Sequence, residues 1–177
     1  MLKKIRGLLG SLNKKNAGGY RDVSIPPPRR LVITENAALA IRECMAPEIV
    51  MGHEGIAYLF GQTNGESTLV VGSIRPEAQT TIGSFNVSAR AMASVVRTAS
   101  DAGLQVVGQI HTHPGQAYHS DGDIDGARIA YDGYVSVVVP DYGRKLPSFA
   151  GAAIYFYRAG AFSKLGSKNL RLITEKF

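Results

Sequence analysis

Hydrophobic residues along this chain follow two different periods, which predict two kinds of element. Short runs rich in Val, Ile and aromatic residues predict strands, at 30–34, 54–61, 67–74, 104–113, 134–139, 149–157, 162–164 and 169–173. Apolar residues at helical spacing predict helices, at 35–45, 89–99 and 120–131. The alternation predicts an α/β fold of the mixed, α+β type, with a central β-sheet flanked by helices.

The ends of several elements carry their own signals. Asn64-Gly65 predicts a hairpin turn between two of the strands, because this pair readily adopts positive φ. We expect the first helix to end before Pro47, since the residue before a proline disfavours helical backbone. Ser88 predicts the start of the second helix as its N-cap. Gly133 is expected to follow the third helix as its C-terminal cap.

Composition indicates one folded domain. The chain has 177 residues, of which 45% are hydrophobic and 19% charged, and this is enough to bury a core without disulfides. Cys44 is its single cysteine, so no internal disulfide can form. Sparse cysteine usage favours a reducing compartment, and we expect a cytoplasmic protein.

Charge divides the chain into two parts. Residues 1–30 carry eight basic side chains and one acidic side chain, whereas residues 31–157 carry seven basic and twelve acidic ones. A nucleic-acid reader needs positive charge on its folded face, so this distribution argues against nucleic acid as a partner. We divide the chain into a basic N-terminal segment with a proline linker, 1–29, and a domain, 30–177.

The N-terminal segment has apolar residues at helical spacing over residues 1–12, with lysines between them. This pattern predicts a short basic amphipathic helix, followed by a stiff linker at Pro26-Pro27-Pro28. It is too short and too charged for a membrane span, and it lacks the apolar core of a signal peptide. Three interpretations stay open: an appendage without a specific role, a docking helix for a partner protein, or weak contact with an anionic membrane surface.

Residues 109–125 carry the strongest chemical signal. His111 and His113 end an apolar strand and share one face of it, and Ser120 and Asp123 follow. Two histidines and one carboxylate that leave a fourth position open are the ligand set of a catalytic zinc. We therefore predict that Zn²⁺ is the cofactor, with His111, His113 and Asp123 as ligands. We expect His119 to lie in solvent, with contact to a substrate as the alternative.

Ser120 and Glu54 are the candidate catalytic residues. Ser120 can cap the following helix, and its hydroxyl can also donate to the oxyanion of a tetrahedral intermediate. Glu54 stands at the mouth of an apolar strand, where partial desolvation would raise its pKa and suit it to moving protons. Five of the other glutamates are expected on helical faces or in turns: Glu35, Glu43, Glu48, Glu66 and Glu77. We expect Asp121 and Asp125 to face solvent.

Three parts of the chain together resemble the JAMM signature of the MPN+ or JAB metalloproteases. They are Glu54 with the strand that follows it, His111-Thr112-His113-Pro114, and Ser120-x-x-Asp123. The resemblance covers residues 30 to 157 and implies a cytidine-deaminase-like central sheet. It also implies that His111, His113 and Asp123 bind zinc, that Glu54 activates water and that Ser120 stabilises the oxyanion. The reaction implied is cleavage of the isopeptide or peptide bond after the C-terminal glycine of ubiquitin or a ubiquitin-like protein.

One interval departs from the family pattern. The spacing from His113 to Asp123 is one residue shorter than its common form, which leaves Asp125 as an alternative third ligand, although the intact Ser-x-x-Asp spacing favours Asp123. The compact domain resembles the prokaryotic JAB branch, found with ubiquitin-activating-like and ubiquitin-conjugating-like enzymes, including antiphage conjugation systems. Two alternatives stay open: a non-catalytic MPN scaffold and a RadC-like protein of DNA metabolism, the latter disfavoured by the acidic domain.

Overall fold

A computed structural model describes residues 30–173 apart from 65–66, 126–128 and 130. The predicted amphipathic helix and proline linker of residues 1–29 lie outside this described part, so both stay predictions. Within it, no helix has the length and hydrophobicity that crossing a bilayer requires.

Ten strands and three helices form the part of the chain that the structure describes. The strands are β1 (Arg30–Thr34), β2 (Ile56–Thr63), β3 (Ser67–Ile74), β4 (Ala78–Thr81), β5 (Ser84–Val87), β6 (Gln105–Thr112), β7 (Val135–Val139), β8 (Ala153–Arg158), β9 (Ala161–Leu165) and β10 (Leu170–Ile173). The helices are α1 (Glu35–Met51), α2 (Ala89–Asp101) and α3 (Asp121–Asp125), and short 3₁₀ turns lie at Asp141–Gly143 and Ser167–Asn169.

Eight of these strands form one mixed sheet in the order β10-β1-β3-β2-β6-β7-β8-β9. β1 runs parallel to β10 and β3, and β6 runs parallel to β7, whereas the remaining neighbours are antiparallel. The central strands β6 and β7 are buried along almost their whole length. This mixed sheet flanked by helices confirms the predicted fold class.

Alternating residues of the central strands supply two separate cores. Leu59 and Val107 face the core under α1, together with Ile41 of that helix. Tyr58 and Val106 face the opposite core, which α2 covers. Because neighbouring residues of a strand point to opposite faces, apolar residues at consecutive positions indicate that both faces are covered.

The end of α1 differs from the prediction. The helix continues through Pro47 and ends at Gly52, which adopts φ 66° as its C-cap. An interior proline costs a helix about 3 kcal/mol, so contacts beyond the helix must offset that loss. Glu48, one residue later, lies on this helix as expected, but its side chain is buried and forms a bidentate ion pair with Arg75.

The third helix is shorter than predicted. Helical structure covers Asp121–Asp125, and Ile129 and Tyr131 lie outside any helix. Ile129 packs against the core under α2, and the Tyr131 hydroxyl donates to the Val106 carbonyl at 2.9 Å. These tertiary contacts outweigh the helical periodicity of the local sequence.

The hairpin of β4 and β5 was not predicted at all. Its strands, with sequences AQTT and SFNV, have little apolar alternation, so the period-two signal is weak. The hairpin forms a separate two-stranded sheet. Its Thr81 carbonyl accepts a hydrogen bond from the Glu54 N–H at 2.8 Å, which attaches the hairpin beside a predicted catalytic residue.

Two strand glycines allow a matched test of the close approach of β2 and β3. A Cβ at Gly61 would overlap the Leu69 carbonyl, whereas a Cβ at Gly72 would meet nothing within 4 Å. We expect Gly61→Ala to lower the free energy of unfolding by about 3 kcal/mol through backbone displacement. Gly72→Ala should change it by less than about 0.5 kcal/mol. Urea unfolding of both variants checks this, and equal effects would contradict it.

Candidate metal centre and active site

The end of β6 places two histidines on one face of the sheet. His111 is fully buried, and in register it lies between Ile56 of β2 and Val138 of β7. His113 follows directly after the strand, and its N–H donates to the Val139 carbonyl at 2.9 Å. The two imidazole centroids are 5.2 Å apart. The strand period therefore brings both rings together, as the His-x-His spacing predicted.

Asp123 reaches these histidines from α3, where Ser120 fixes it. The N–H and the hydroxyl of Ser120 each donate to Oδ2 of Asp123 at 2.8 Å, while the Asp123 N–H donates to Ser120 Oγ at 3.2 Å. This reciprocal pair matches the N-cap arrangement that the sequence suggested. Ser120 therefore determines where the carboxylate lies.

The three predicted ligands form one buried group that could hold a metal ion. One donor atom from each of His111, His113 and Asp123 lies within 4.8 Å of the others. Asp123 Oδ1 is 3.2 Å from His111 Nε2, and its Oδ2 is 3.2 Å from His113 Nε2. The side chain of Asp125, the alternative ligand, lies outside the described residues.

The buried nitrogen atoms of His111 support the fit of a metal ion at this group. Its Nδ1 has no hydrogen-bond partner among the described residues, and its Nε2 has no polar contact there beyond its 3.2 Å approach to Asp123 Oδ1. Leaving a buried polar atom unsatisfied costs about 1–3 kcal/mol, which a bound cation would offset at one of these nitrogens. Two imidazoles and one carboxylate also match the donor preference of Zn²⁺.

The electrostatics of the group follow from burial and from the central carboxylate. Burial lowers the pKa of His111 and thus favours its neutral form. Burial also lowers the pKa of His113, but the hydrogen bond and charge of Asp123 outweigh this and raise it overall. For Asp123, burial alone would raise the pKa, yet the two histidines hold it well below its usual range. Asp123 is therefore ionised, as a metal ligand must be.

Glu54 lies two residues before β2, and the neighbouring Gly55 is connected to the histidine strand through Thr112. The Gly55 N–H donates to Thr112 Oγ1 at 2.8 Å, and the Thr112 N–H donates to the Gly55 carbonyl at 3.0 Å. Glu54 is buried, and burial raises the pKa of its carboxyl group, with His113 opposing this and Asp123 adding to it. A carboxylate with a raised pKa is suited to accepting and returning a proton.

A cavity of about 420 Å³ opens beside these groups. Glu54, Ser120, His113 and Asp123 all line it. The hairpin supplies part of its wall, with Gly83, Ser84, Phe85, Asn86 and Val87. The structure thus brings the predicted catalytic and metal-binding residues to one cleft, with His111 buried behind it, and their roles stay predictions.

Comparison with known proteins now identifies the family. Residues 36–149, more than half of the chain, match a family model described as prokaryotic homologs of the JAB domain. The chain belongs to this family. A curated relative, "Probable metalloprotease y4jG" of Sinorhizobium fredii (strain NBRC 101917 / NGR234), is 32% identical over 108 residues, which cover 59% of this chain and 67% of the relative.

A solved structure shows a similar fold. Protein DSY2949 from Desulfitobacterium hafniense superposes with a TM-score of 0.59 at 14% identity, covering 83% of this chain and 94% of that one. At this identity the match supports the fold alone. The JAB family and the metalloprotease relative, together with the His-His-Asp group, support a metal-dependent, peptidase-like function.

The sequence interpretation of this JAB domain was wrong about His119. The residue does not lie in solvent: it is half-buried, its ring stacks on Tyr155 at 4.0 Å, and its Nε2 lies 2.8 Å from Ser136 Oγ. Burial and the nearby His111 lower its pKa to about 4, so the ring is neutral at pH 7. A serine within the valine-rich strand β7 is the sequence signal that could have indicated a buried polar partner.

A turn with unusual backbone geometry was also missed. Asp141 and Tyr142 both adopt φ 54°, a conformation that non-glycine residues rarely occupy. The Tyr142 N–H donates to the His113 carbonyl at 2.8 Å, and its hydroxyl donates to the Ile82 carbonyl at the hairpin tip at 3.1 Å. Strain of this kind persists where the surroundings enforce it, and here the turn holds His113 and the hairpin together.

The link between Gly55, which precedes β2, and the histidine-bearing strand β6 can be tested at Thr112. Thr112→Val keeps the shape of the side chain but leaves the buried Gly55 N–H without its side-chain acceptor, so we expect about 2 kcal/mol less stability. Thr112→Ser keeps the hydroxyl and serves as the matched control. Urea unfolding and hydrogen exchange at the Gly55 amide measure the effect. Unchanged Gly55 protection in the valine variant would refute the role given to Thr112.

Glu54 should lower the stability of the metal-free domain at neutral pH. Because burial raises its pKa in the folded state above the usual value of a glutamate, folding disfavours the ionised carboxylate. Glu54→Gln should therefore raise the melting temperature of chelator-treated protein at pH 7, and the gain should shrink as the pH falls towards 4. The exposed Glu77 gives the control variant Glu77→Gln. A gain that grows at low pH would contradict this sign.

Proposed function

We propose that the protein is a zinc-dependent isopeptidase or peptidase that cleaves after the C-terminal glycine of a ubiquitin-like protein. The observation that carries this proposal is the convergence of Glu54, Ser120, His113 and Asp123 on one cavity. A non-catalytic scaffold has no need for a buried carboxylate with a raised pKa beside a group that could hold a metal.

His111, His113 and Asp123 would hold the ion. A Zn²⁺ with three protein ligands supplies Lewis acidity and lowers the pKa of water to about 7. The protein prepares the three ligands before binding, because Ser120 fixes the Asp123 carboxylate and burial keeps His111 neutral. Little rearrangement of the ligands is then required.

Glu54 would act as the general base. Its carboxylate would accept a proton from the attacking water and return it to the leaving amine, and a pKa raised by burial suits both transfers. The Thr112 and Thr81 hydrogen bonds fix the backbone on either side of Glu54, which keeps its carboxylate at the cavity.

Ser120 would stabilise the oxyanion. Its hydroxyl donates to Asp123 in the structure and also lines the cavity. A hydroxyl that turns from Asp123 towards the substrate carbonyl would stabilise the developing negative charge, by about 3 kcal/mol in comparable hydrolases. Capping α3 and stabilising the oxyanion are therefore compatible duties of one side chain.

The substrate class is inferred from the resemblance of the motif to JAMM isopeptidases. A ubiquitin-like protein or its conjugates would be the substrate, and the reaction would be precursor processing, deconjugation or both. Ubiquitin-activating-like and ubiquitin-conjugating-like enzymes of a bacterial, antiphage-type system would act in the same cytoplasmic pathway.

Metal analysis and a cleavage assay test this function together. We expect about one zinc per chain, as three-ligand catalytic sites bind one ion. The protein should cleave a reporter fused after the terminal glycine of a ubiquitin-like protein, and mass spectrometry should find that glycine at the new C-terminus. Glu54→Gln should retain zinc but lower kcat by at least about 100-fold, because the general base is lost.

Several outcomes would decide against the proposal. Full cleavage by Glu54→Gln would remove Glu54 from the mechanism, and absence of zinc from the wild-type protein would remove the metal. Stoichiometric zinc without cleavage of any ubiquitin-like fusion would favour the scaffold alternative. Glu77 is exposed, and its variant Glu77→Gln should cleave at the wild-type rate. It therefore serves as the control for a glutamate-to-glutamine substitution away from the site.

A further inference from the structure

His119 is attached to the sheet by side-chain and backbone contacts. Its ring stacks on Tyr155 of β8, with centroids 4.0 Å apart and planes 10° from parallel, and meets the edge of Phe162 of β9 at 4.8 Å. Its Nε2 lies 2.8 Å from the hydroxyl of Ser136 in β7. Its backbone N–H donates to the Tyr155 hydroxyl at 3.2 Å. Three neighbouring strands therefore fix one loop residue.

The hydroxyl of Ser136 is a buried polar group in an otherwise apolar strand. Ser136 has no solvent exposure and pairs in register with Gln109 of β6. Gln109 Nε2 lies 3.5 Å from Ser136 Oγ, and Gln109 also lines the cavity. Because an unpartnered buried hydroxyl is costly, the contact with His119 satisfies a group of the sheet as well as fixing the loop.

The loop before His119 has two other contacts: the Asp141 N–H donates to the Gly115 carbonyl at 3.1 Å, and the Tyr118 ring meets the His113 ring edge-on at 4.9 Å. Pro114, Gly115 and Gln116 are exposed, and Tyr118 is 54% exposed. Ser120 directly follows His119, and it is the residue that binds Oδ2 of Asp123. His119 is thus the last residue fixed to the sheet before the segment that carries Asp123.

Helix α3 itself cannot hold Asp123 in place. Its described part is five residues, Asp121–Asp125, and Ile129 is already outside the helix; helices this short have little intrinsic stability in water. Asp123 also has to stay beside two histidines that belong to a different element. Its position therefore depends on an attachment outside the helix.

We propose that His119 is a positioning residue, whose contacts with Ser136 and Tyr155 hold the Ser120–Asp123 segment in place for metal binding. This inference rests on the proposed function, because it assumes that His111, His113 and Asp123 bind zinc. His119 does not belong to the metal-binding group, and its Nε2 is engaged by Ser136. Without this attachment, ordering Asp123 would oppose metal binding, since fixing backbone and side chain costs conformational entropy.

Zinc affinity of the full-length protein tests this role directly. Zn²⁺ dissociation constants would be measured by competition with a chromogenic chelator. His119→Phe keeps the ring stack but loses the hydrogen bond, and Ser136→Ala removes the partner hydroxyl with little change in volume. Each should weaken zinc binding by about tenfold, comparable to loss of an outer-shell partner. Because both substitutions remove the same contact between His119 and Ser136, the double variant should bind zinc no more weakly than either single variant.

Two further variants separate positioning from general damage. His119→Gln can still reach Ser136 through its amide and should recover most of the affinity lost in His119→Phe. Gln116→Ala, in the exposed part of the same loop, should bind zinc as the wild type does. The visible spectrum of the Co²⁺-substituted protein should change in His119→Phe and Ser136→Ala and return towards the wild-type spectrum in His119→Gln.

The result distinguishes this inference from the function on which it rests. If the wild-type protein binds no zinc, the proposed function and this inference both fail. If the wild type binds zinc and both single variants bind it equally well, His119 has no positioning role and the function stands. If the losses of zinc affinity add fully in the double variant, the positioning role of His119 is likewise overturned. Ser136→Ala keeps the test decisive if His119→Phe fails to fold.

Discussion

The carboxylate of Asp123 is the interaction on which the rest of the site depends. Its Oδ1 faces His111, and its Oδ2 accepts from Ser120 while facing His113. A buried anion is tolerated only where opposite charge or hydrogen-bond donors surround it. The end of β6, α3 and the loop between them must therefore place these partners around the Asp123 carboxylate. This requirement explains why the loop is attached to the sheet immediately before Ser120.

Strand register brings Glu54, the proposed general base, to this carboxylate. β2 and β6 are antiparallel, and Ile56 pairs with His111, so continuing the same register places Glu54 opposite His113. Thr112, between the two histidines, bonds both polar groups of the Gly55 backbone. Residues far apart in the sequence thus become neighbours because β2, which begins two residues after Glu54, lies beside β6, which ends at the histidines.

The sequence predicted those parts of the structure that have a local signal. Apolar runs located the strands of the large sheet, and the ordered motif spacing located residues that the structure places around one cavity. The β4–β5 hairpin was missed because its strands are largely polar, and α1 was ended early because the ion pair of Glu48 with Arg75 is not a local feature. Likewise, nothing next to His119 in the sequence indicates that Ser136 and Tyr155 will cover it. The hydrophobic periodicity of the sequence therefore could not predict long-range contacts between polar residues.

The site holds several groups in states that oppose folding. His111 buries Nδ1 without a partner among the described residues, and the buried carboxyl of Glu54 has a raised pKa. The two apolar cores on either face of the sheet are extensive enough to tolerate these losses. A cation bound to His111, His113 and Asp123 would reverse several of them at once: it would give His111 a partner, balance the Asp123 charge and favour the ionised form of Glu54. Because such a cation binds the folded state, it would also stabilise the fold, so metal binding and stability should be coupled through the same buried residues.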